Sequence, residues 1–389
     1  MSGAPRVHLS YLDGLRGWAS LFVLLHHIWQ FVVGQVDLGV ALPGWFKLMT
    51  VFKYGPLAVT VFIVLSGYSL MLPVARSETL TFSGGLKSFF KRRALRILPA
   101  YYATIAFSVL LLWLHPAMRQ PSGTQWDMAL PALSLENLGL HALLLHNLFP
   151  SFQWKLNPPL WSVALEWQIY FIFALILLPV WRRFGRAAGL LLALVLGCAP
   201  LFFGAAHVHS WYIASFAIGM WAADANFGNA AWRARLSRVP FGLVSLLLLV
   251  PVAAWLVLLK GNLNDVDDWA PLVAVHLATS LSACAFLVGS TRAIGQGQSS
   301  FLVRFFEHRV SETLGRFSYS LYLLHYPLLA AVSVSLRELR VAGLPLFVAL
   351  LAAVPLVLGI CFAFYALFEK PYLRARGSSV AMLPAPAAR

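Results

Sequence analysis

The sequence predicts an all-α, polytopic membrane protein with about ten transmembrane helices, a cytoplasmic amphipathic helix and a short outer re-entrant or interfacial helix. Three observations carry this. The chain of 389 residues is 60% hydrophobic and only 11% charged, where soluble domains average about 25% charged. Apolar runs of about 20 residues, enough to cross a hydrocarbon core, recur near 10–33, 55–76, 97–116, 159–181, 187–205, 208–225, 240–260, 270–290, 313–336 and 343–367. Finally, 20 lysines and arginines fall on one set of alternate loops and 7 on the other. That asymmetry is the positive-inside bias, which makes both termini cytoplasmic in an inner (cytoplasmic) membrane protein. It also accounts for the net charge of +15 without a nucleic-acid partner.

Cys198, Cys284 and Cys361 lie in separate apolar runs without metal-ligand spacing, so neither a metal site nor a disulfide framework is expected. No signal-peptide cleavage pattern precedes the first run, so that span is expected to be retained. The expected layout is one integral-membrane domain over residues 1–375 and a disordered cytoplasmic tail over 376–389. No soluble domain is expected after the last span, which leaves any chemistry to the membrane part.

The first span, YLDGLRGWASLFVLLHHIWQF (residues 11–31), carries Asp13, Arg16 and His27 into the bilayer. At 100° and about 1.5 Å per residue, Arg16 and His27 share a face and lie roughly 16 Å apart. Asp13 joins that face, and His26 is turned away by about a right angle. Charged groups at membrane depth normally face protein or a water-filled cavity, so this helix reads as one wall of an active site. In the second span Ser66 precedes Gly67 and Tyr68, and small residues there suit close helix packing.

FSGGLKSFFKRRALRILPAYY (residues 82–102) projects as an amphipathic helix with an apolar side of Phe82, Leu86, Phe89, Phe90 and Ile97. Such a helix lies on a membrane surface. Arg93 and Arg96 project onto its apolar side. Pro99 disfavours helix at Leu98, so the third span is expected to start there, with its N-terminal dipole beside the two arginines. Paired guanidinium groups at such a place suit phosphate oxygens, and a structural role is the competing reading. NLGLHALLLHNLF (residues 137–149) is too short to span, and places His141 and His146 outside, where a hydroxylated acceptor could approach. In the fourth span Glu166 and Tyr170 share a face at i,i+4, and a carboxylate at that depth needs a partner or a proton. The loop 259–271 gathers Asp265, Asp267 and Asp268 into a solvated acidic turn. The ninth span puts Ser318, Tyr322 and His325 on one face.

LDGLRGWASLFVLLHH, VFIVLSGY, RRALRILPAYY, WSVALEWQIYF, FSYSLYLLHYPLL and FEKP, in that order from about residue 10 to 373, resemble the signatures of the membrane acyltransferase-3 family. The resemblance implies transfer of an acyl group, usually acetyl from acetyl-CoA, to a hydroxyl of a sugar, surface polysaccharide, glycolipid or other acceptor. By the same resemblance Arg16 and His27 form the family's arginine–histidine element, with Asp13 beside it. Arg93 and Arg96 match its second arginine pair, and Glu166 the glutamate of its Trp-Ser motif. Two positions depart from the pattern: Thr60 and Trp167 stand where many members carry acids.

The expected mechanism is that acyl-CoA docks on Arg93 and Arg96 and His27 acts as general base or takes the acyl group. Arg16, Asp13 and Glu166 complete the catalytic set, while Ser66, Tyr170, Tyr322, His325 and His146 line the substrate path. No metal is expected. Succinyl or a longer chain could replace acetyl. A transporter of a small anion or sugar is the alternative reading, since polar groups at mid-membrane also mark transport sites. A lipid-binding scaffold is a third.

Overall fold

The computed structural model describes residues 6–34, 42–131, 133–258, 263, 269–374 and 382–384. The expected acidic turn around Asp265, Asp267 and Asp268 lies outside the described residues. Helices dominate, and the described strands are a three-residue antiparallel pair, β1 (Arg6–His8) with β2 (Met382–Pro384). Within the region assigned to the tail, residues 382–384 are therefore paired with the N-terminus.

Among the described residues, seven helical stretches are long and apolar enough to cross a membrane: Gly44–Ala75, Gly85–Leu114, Leu160–Phe184, Arg186–Phe203, Trp269–Gly295, Ser318–Glu338 and Gly343–Leu373. The sequence suggested ten spans. The other three are helices, but Tyr212–Phe227 has only 16 residues and the apolar part of Phe241–Leu258 is short. Tyr11–Val33 carries Asp13, Arg16 and two histidines, which dilute its hydropathy. In chain order we name α1 (Tyr11–Val33), α2 (Gly55–Ala75), α3 (Gly85–Leu114), α4 (Leu135–Ala142), α5 (Leu160–Phe184) and α6 (Arg186–Phe203). There follow α7 (Tyr212–Phe227), α8 (Phe241–Leu258), α9 (Trp269–Gly295), α10 (Arg309–Arg316), α11 (Ser318–Glu338) and α12 (Gly343–Leu373).

α3 corrects one expectation. The amphipathic segment and the third span are a single helix of 30 residues that runs through Pro99, so the span's N-terminus lies at Gly85 and not beside Arg93 and Arg96. Proline is tolerated inside membrane helices when neighbouring groups satisfy the backbone it frees. The Tyr319 hydroxyl donates to the Ile97 carbonyl at 3.2 Å, which ties α11 to α3 just before that proline. The 137–149 segment forms α4 and a short turn at His146–Leu148, both too short to span. The Tyr101 hydroxyl of α3 donates to the His141 carbonyl at 2.8 Å, and that of Tyr102 to the Ala142 carbonyl at 2.9 Å. α3 and α4 are thereby tied together.

Close backbone approach holds the bundle together, as expected where lipid supplies no hydrophobic drive between helices. A methyl group on Gly67 of α2 would overlap the Phe216 carbonyl of α7, and one on Gly219 of α7 the Val64 carbonyl of α2. Gly14 and Gly17 of α1 seat in the same way against Phe306 and α10. With its glycine side closed, α1 turns its polar side toward α2 and α3. Gly67→Ala is expected to destabilise the fold by about 1–3 kcal/mol through overpacking. Gly359→Ala, where an added methyl meets nothing within 4 Å, is expected to be neutral or stabilising. Unfolding midpoints in detergent compare the two.

Candidate active site

Three cavities follow one another along α1. The first, about 510 Å³, is lined by Asp13, Arg16, Arg76, Arg92, Arg93 and Arg96 together with Ser69, Phe82 and Phe89. Five guanidinium groups against one carboxylate give it a strongly anion-attracting interior. It shares Arg16, Ser69, Leu70, Arg93 and Arg96 with a narrow neck of about 100 Å³. The neck is also lined by Ser66, Ser162, Glu166, Tyr170, Ser318, Tyr319 and Tyr322. Val59 and Tyr322 are common to the neck and the third cavity, about 560 Å³, whose wall includes His26, His27, Gln30, Trp154, Trp161, His209, Trp211 and Tyr326.

Arg16 sits where the first cavity meets the neck. Asp13, one turn earlier, accepts from its Nη1 at 2.8 Å, and Ser69 of α2 from its Nη2 at 2.5 Å. On the facing wall, Glu166 of α5 accepts from the hydroxyls of Ser66 and Tyr170, both at 2.6 Å. Below it, Ser162 and the Tyr322 hydroxyl lie 2.6 Å apart, joining α5 to α11. Arg93 and Arg96 project from α3 into this junction, as their place on the apolar side of the helix foretold. The Nε of Arg93 is buried and without a partner. Glu369, held by the Ser320 hydroxyl at 2.8 Å, joins Asp13 and Glu166 among the carboxylates that act on the charge of Arg96.

His27 occupies the wall of the third cavity. Its Nδ1 lies 2.8 Å from the Gln30 amide oxygen, so the ring proton resides on Nδ1 and Nε2 carries the lone pair. Tyr326 meets the ring edge-on at a centroid distance of 4.7 Å, and His325 lies 5.1 Å away. His325 donates through Nδ1 to the Leu321 carbonyl at 2.9 Å. It is wholly buried behind His27 and outside the cavity walls. His26 turns aside, as the helical projection required, and its Nδ1 donates to the Phe52 carbonyl at 2.7 Å.

Asp13, Arg16, Arg93, Arg96, Ser66, Glu166, Tyr170 and Tyr322 are thus brought together, with His27 one cavity further on. His146 is not among them. It is buried in the 146–148 turn, stacked on His141 at 3.9 Å and 10°, and His141 Nε2 lies 3.0 Å from the Lys155 carbonyl of the segment that leads into α5. Sequence reasoning passed over Ser69, Ser162, Tyr319 and Gln30. Ser69 and Gln30 carried a signal, each lying three residues beyond a residue already singled out. Thr60, at a position where acids are common in the resembled family, is buried with its hydroxyl 2.6 Å from His276 Nδ1. Trp167 packs on Tyr170 and Phe171.

A family model described as an acyltransferase domain matches residues 9–366. The chain belongs to the acyltransferase-3 family. It is 27% identical over 346 residues to the acyltransferase MdmB of Streptomyces mycarofaciens, covering 83% of this chain and 79% of that protein. It is 27% identical to nodulation protein 10 of Rhizobium leguminosarum bv. viciae over 48% of each chain. It is likewise 27% identical to the peptidoglycan O-acetyltransferase OatA of Listeria monocytogenes over 50% of this chain and 28% of that one. No solved structure matches. The family makes this an acyltransferase, and the apolar helices make it an integral membrane enzyme.

The stacked pair outside the spans gives the acyltransferase a pH dependence. Burial, reinforced by its neighbour His141, holds His146 down at about 2, and burial also lowers His141. A histidine whose value falls on folding stabilises the fold above its unfolded value of about 6.5 and loses that contribution as pH falls below it. Unfolding midpoints are therefore expected to drop between pH 7.5 and pH 5, with a slope of up to about 1.4 kcal/mol per pH unit for each histidine. His146→Phe should flatten that slope.

Proposed function

We propose that the enzyme transfers an acyl group, acetyl in the first instance, from cytoplasmic acyl-CoA to a hydroxyl of a carbohydrate-containing acceptor at the membrane, with His27 as the proton acceptor. One observation carries the reading. The cavity holding five arginines opens, through shared lining residues, into a neck that shares lining residues with the cavity of His27.

The donor suits this succession. Its phosphates fit the guanidinium groups of Arg93 and Arg96, which make planar, charge-assisted hydrogen bonds. The slender arm carrying the thioester fits the neck past Arg16, Ser66 and Glu166. In this reading Asp13 holds Arg16 at the mouth, and Glu166 keeps Ser66 and Tyr170 aligned along the wall. Since the arginines face the donor, the arginine end is cytoplasmic and both termini lie on that side.

The acceptor occupies the third cavity, whose aromatic walls and few polar groups suit a hydroxylated ring. His27 Nε2 takes the hydroxyl proton as the oxygen attacks the thioester carbonyl. As the carbon–sulfur bond breaks, the imidazolium returns that proton to the departing thiolate. Gln30 keeps the other ring proton on Nδ1. A relative named for peptidoglycan O-acetylation supports a carbohydrate acceptor.

His27→Ala is expected to lower acyl transfer by at least about 100-fold while leaving the amount of folded protein unchanged. Turnover close to wild type, measured with purified enzyme and acetyl-CoA, rejects the base. Arg93→Ala and Arg96→Ala should each weaken coenzyme A binding about tenfold, as expected for a lost charge-assisted hydrogen bond. Calorimetric titration reads this directly, and an unchanged dissociation constant removes the arginines from the donor site.

A further inference from the structure

We infer that Trp161, His209 and Trp211 form a subsite for a pyranose ring of the acceptor, with His209 as its hydrogen-bonding, specificity-determining residue. The inference rests on the proposal that the acceptor occupies the third cavity, and it deepens that proposal.

The loop leading into α7 carries the evidence. His209 has a φ of 54°, a left-handed conformation that non-glycine residues seldom adopt and that concentrates at functional sites. Its ring lies 4.4 Å from Trp161 and 4.9 Å from Trp211, and is buried. Neither ring nitrogen of His209 has a partner, and neither does Nε1 of Trp211. Buried polar atoms are nearly always paired, yet three orphans belong to two neighbouring side chains that line one cavity. Their neighbours are already engaged. His276 is bonded to Thr60 at 2.6 Å, and the Gln153 amide donates to the His207 carbonyl at 2.9 Å.

The unmet valences match a hydroxylated ring. An imidazole offers one donor and one acceptor, an indole one donor, and a sugar hydroxyl can answer each. Trp161 supplies an apolar face for the ring's C–H groups, since it stays partly accessible in the first turn of α5 after Pro158 and Pro159. Two consecutive prolines stiffen that approach. His27 lines the same cavity, which places a ring held here within the chamber of the proposed base.

The test uses purified full-length protein, acetyl-CoA, and a panel of methyl pyranosides as probe acceptors. His209→Phe keeps an aromatic ring and removes both nitrogens, while Trp211→Phe removes the indole N–H together with part of the ring. Each should raise the KM for the accepted pyranoside about tenfold, with a smaller change in kcat, and His209→Phe should keep an unfolding midpoint near wild type. His209→Gln, which restores a donor and an acceptor, should recover part of the loss. An unchanged pyranoside KM in both phenylalanine variants overturns the subsite and assigns the orphaned atoms to ordered water. A wild type that turns over acetyl-CoA but acylates no pyranoside overturns the ring assignment alone. One that never turns over acetyl-CoA overturns the donor reading instead.

Discussion

The structure depends on how Arg16 is held. A guanidinium inside an apolar bundle is costly unless paired, and its partners come from its own helix and the next: Asp13 on one side and Ser69 on the other. Satisfying it draws α1 to α2. Satisfying Glu166 with Ser66 and Tyr170 draws α2 to α5, and the contact of Ser162 with Tyr322 carries the chain of bonds on to α11. The neck is the space these four helices leave between their polar sides. Glycines on the far side of α1 make the arrangement possible, because they let α10 close against that helix.

Much of this was legible in the sequence because helical periodicity fixes which residues share a face. Arg16 and His27 occupy the polar side of α1, and Arg93 and Arg96 point inward, as their positions required. Ser66, Glu166, Tyr170 and Tyr322 line one neck, although they lie on three different helices. The failures have physical causes too. Proline was read as a helix boundary at Leu98, and in α3 the helix simply continues. His146 looked like an interfacial residue on the acceptor side, but burial is decided by what folds over a segment, and its ring is stacked on His141. The count of ten spans is not confirmed, because helix and membrane crossing are separate properties: α7 is helical and buried but has only 16 residues.

The wall around Trp161 and His209 was not legible at all. Its members lie on the segment before α5, at the start of α5 and in the loop before α7, and no periodicity relates them. Only the three-dimensional arrangement reveals that their polar atoms lack partners. The pairing of Thr60 with His276 is similar. A departure from a family pattern marks a position in the sequence, while the group that answers it stands on another helix.

The unbroken course of α3 has a mechanical consequence. A helix of 30 residues is a rod of about 45 Å, and this one carries Arg93 and Arg96 toward one end and the tyrosines that grip α4 further along. Arg96 and Tyr101 are five positions apart, about 7.5 Å of rise, with Pro99 between them. A proline removes one backbone hydrogen bond, so Pro99 marks where this rod bends most easily, between the arginines and the grip on α4.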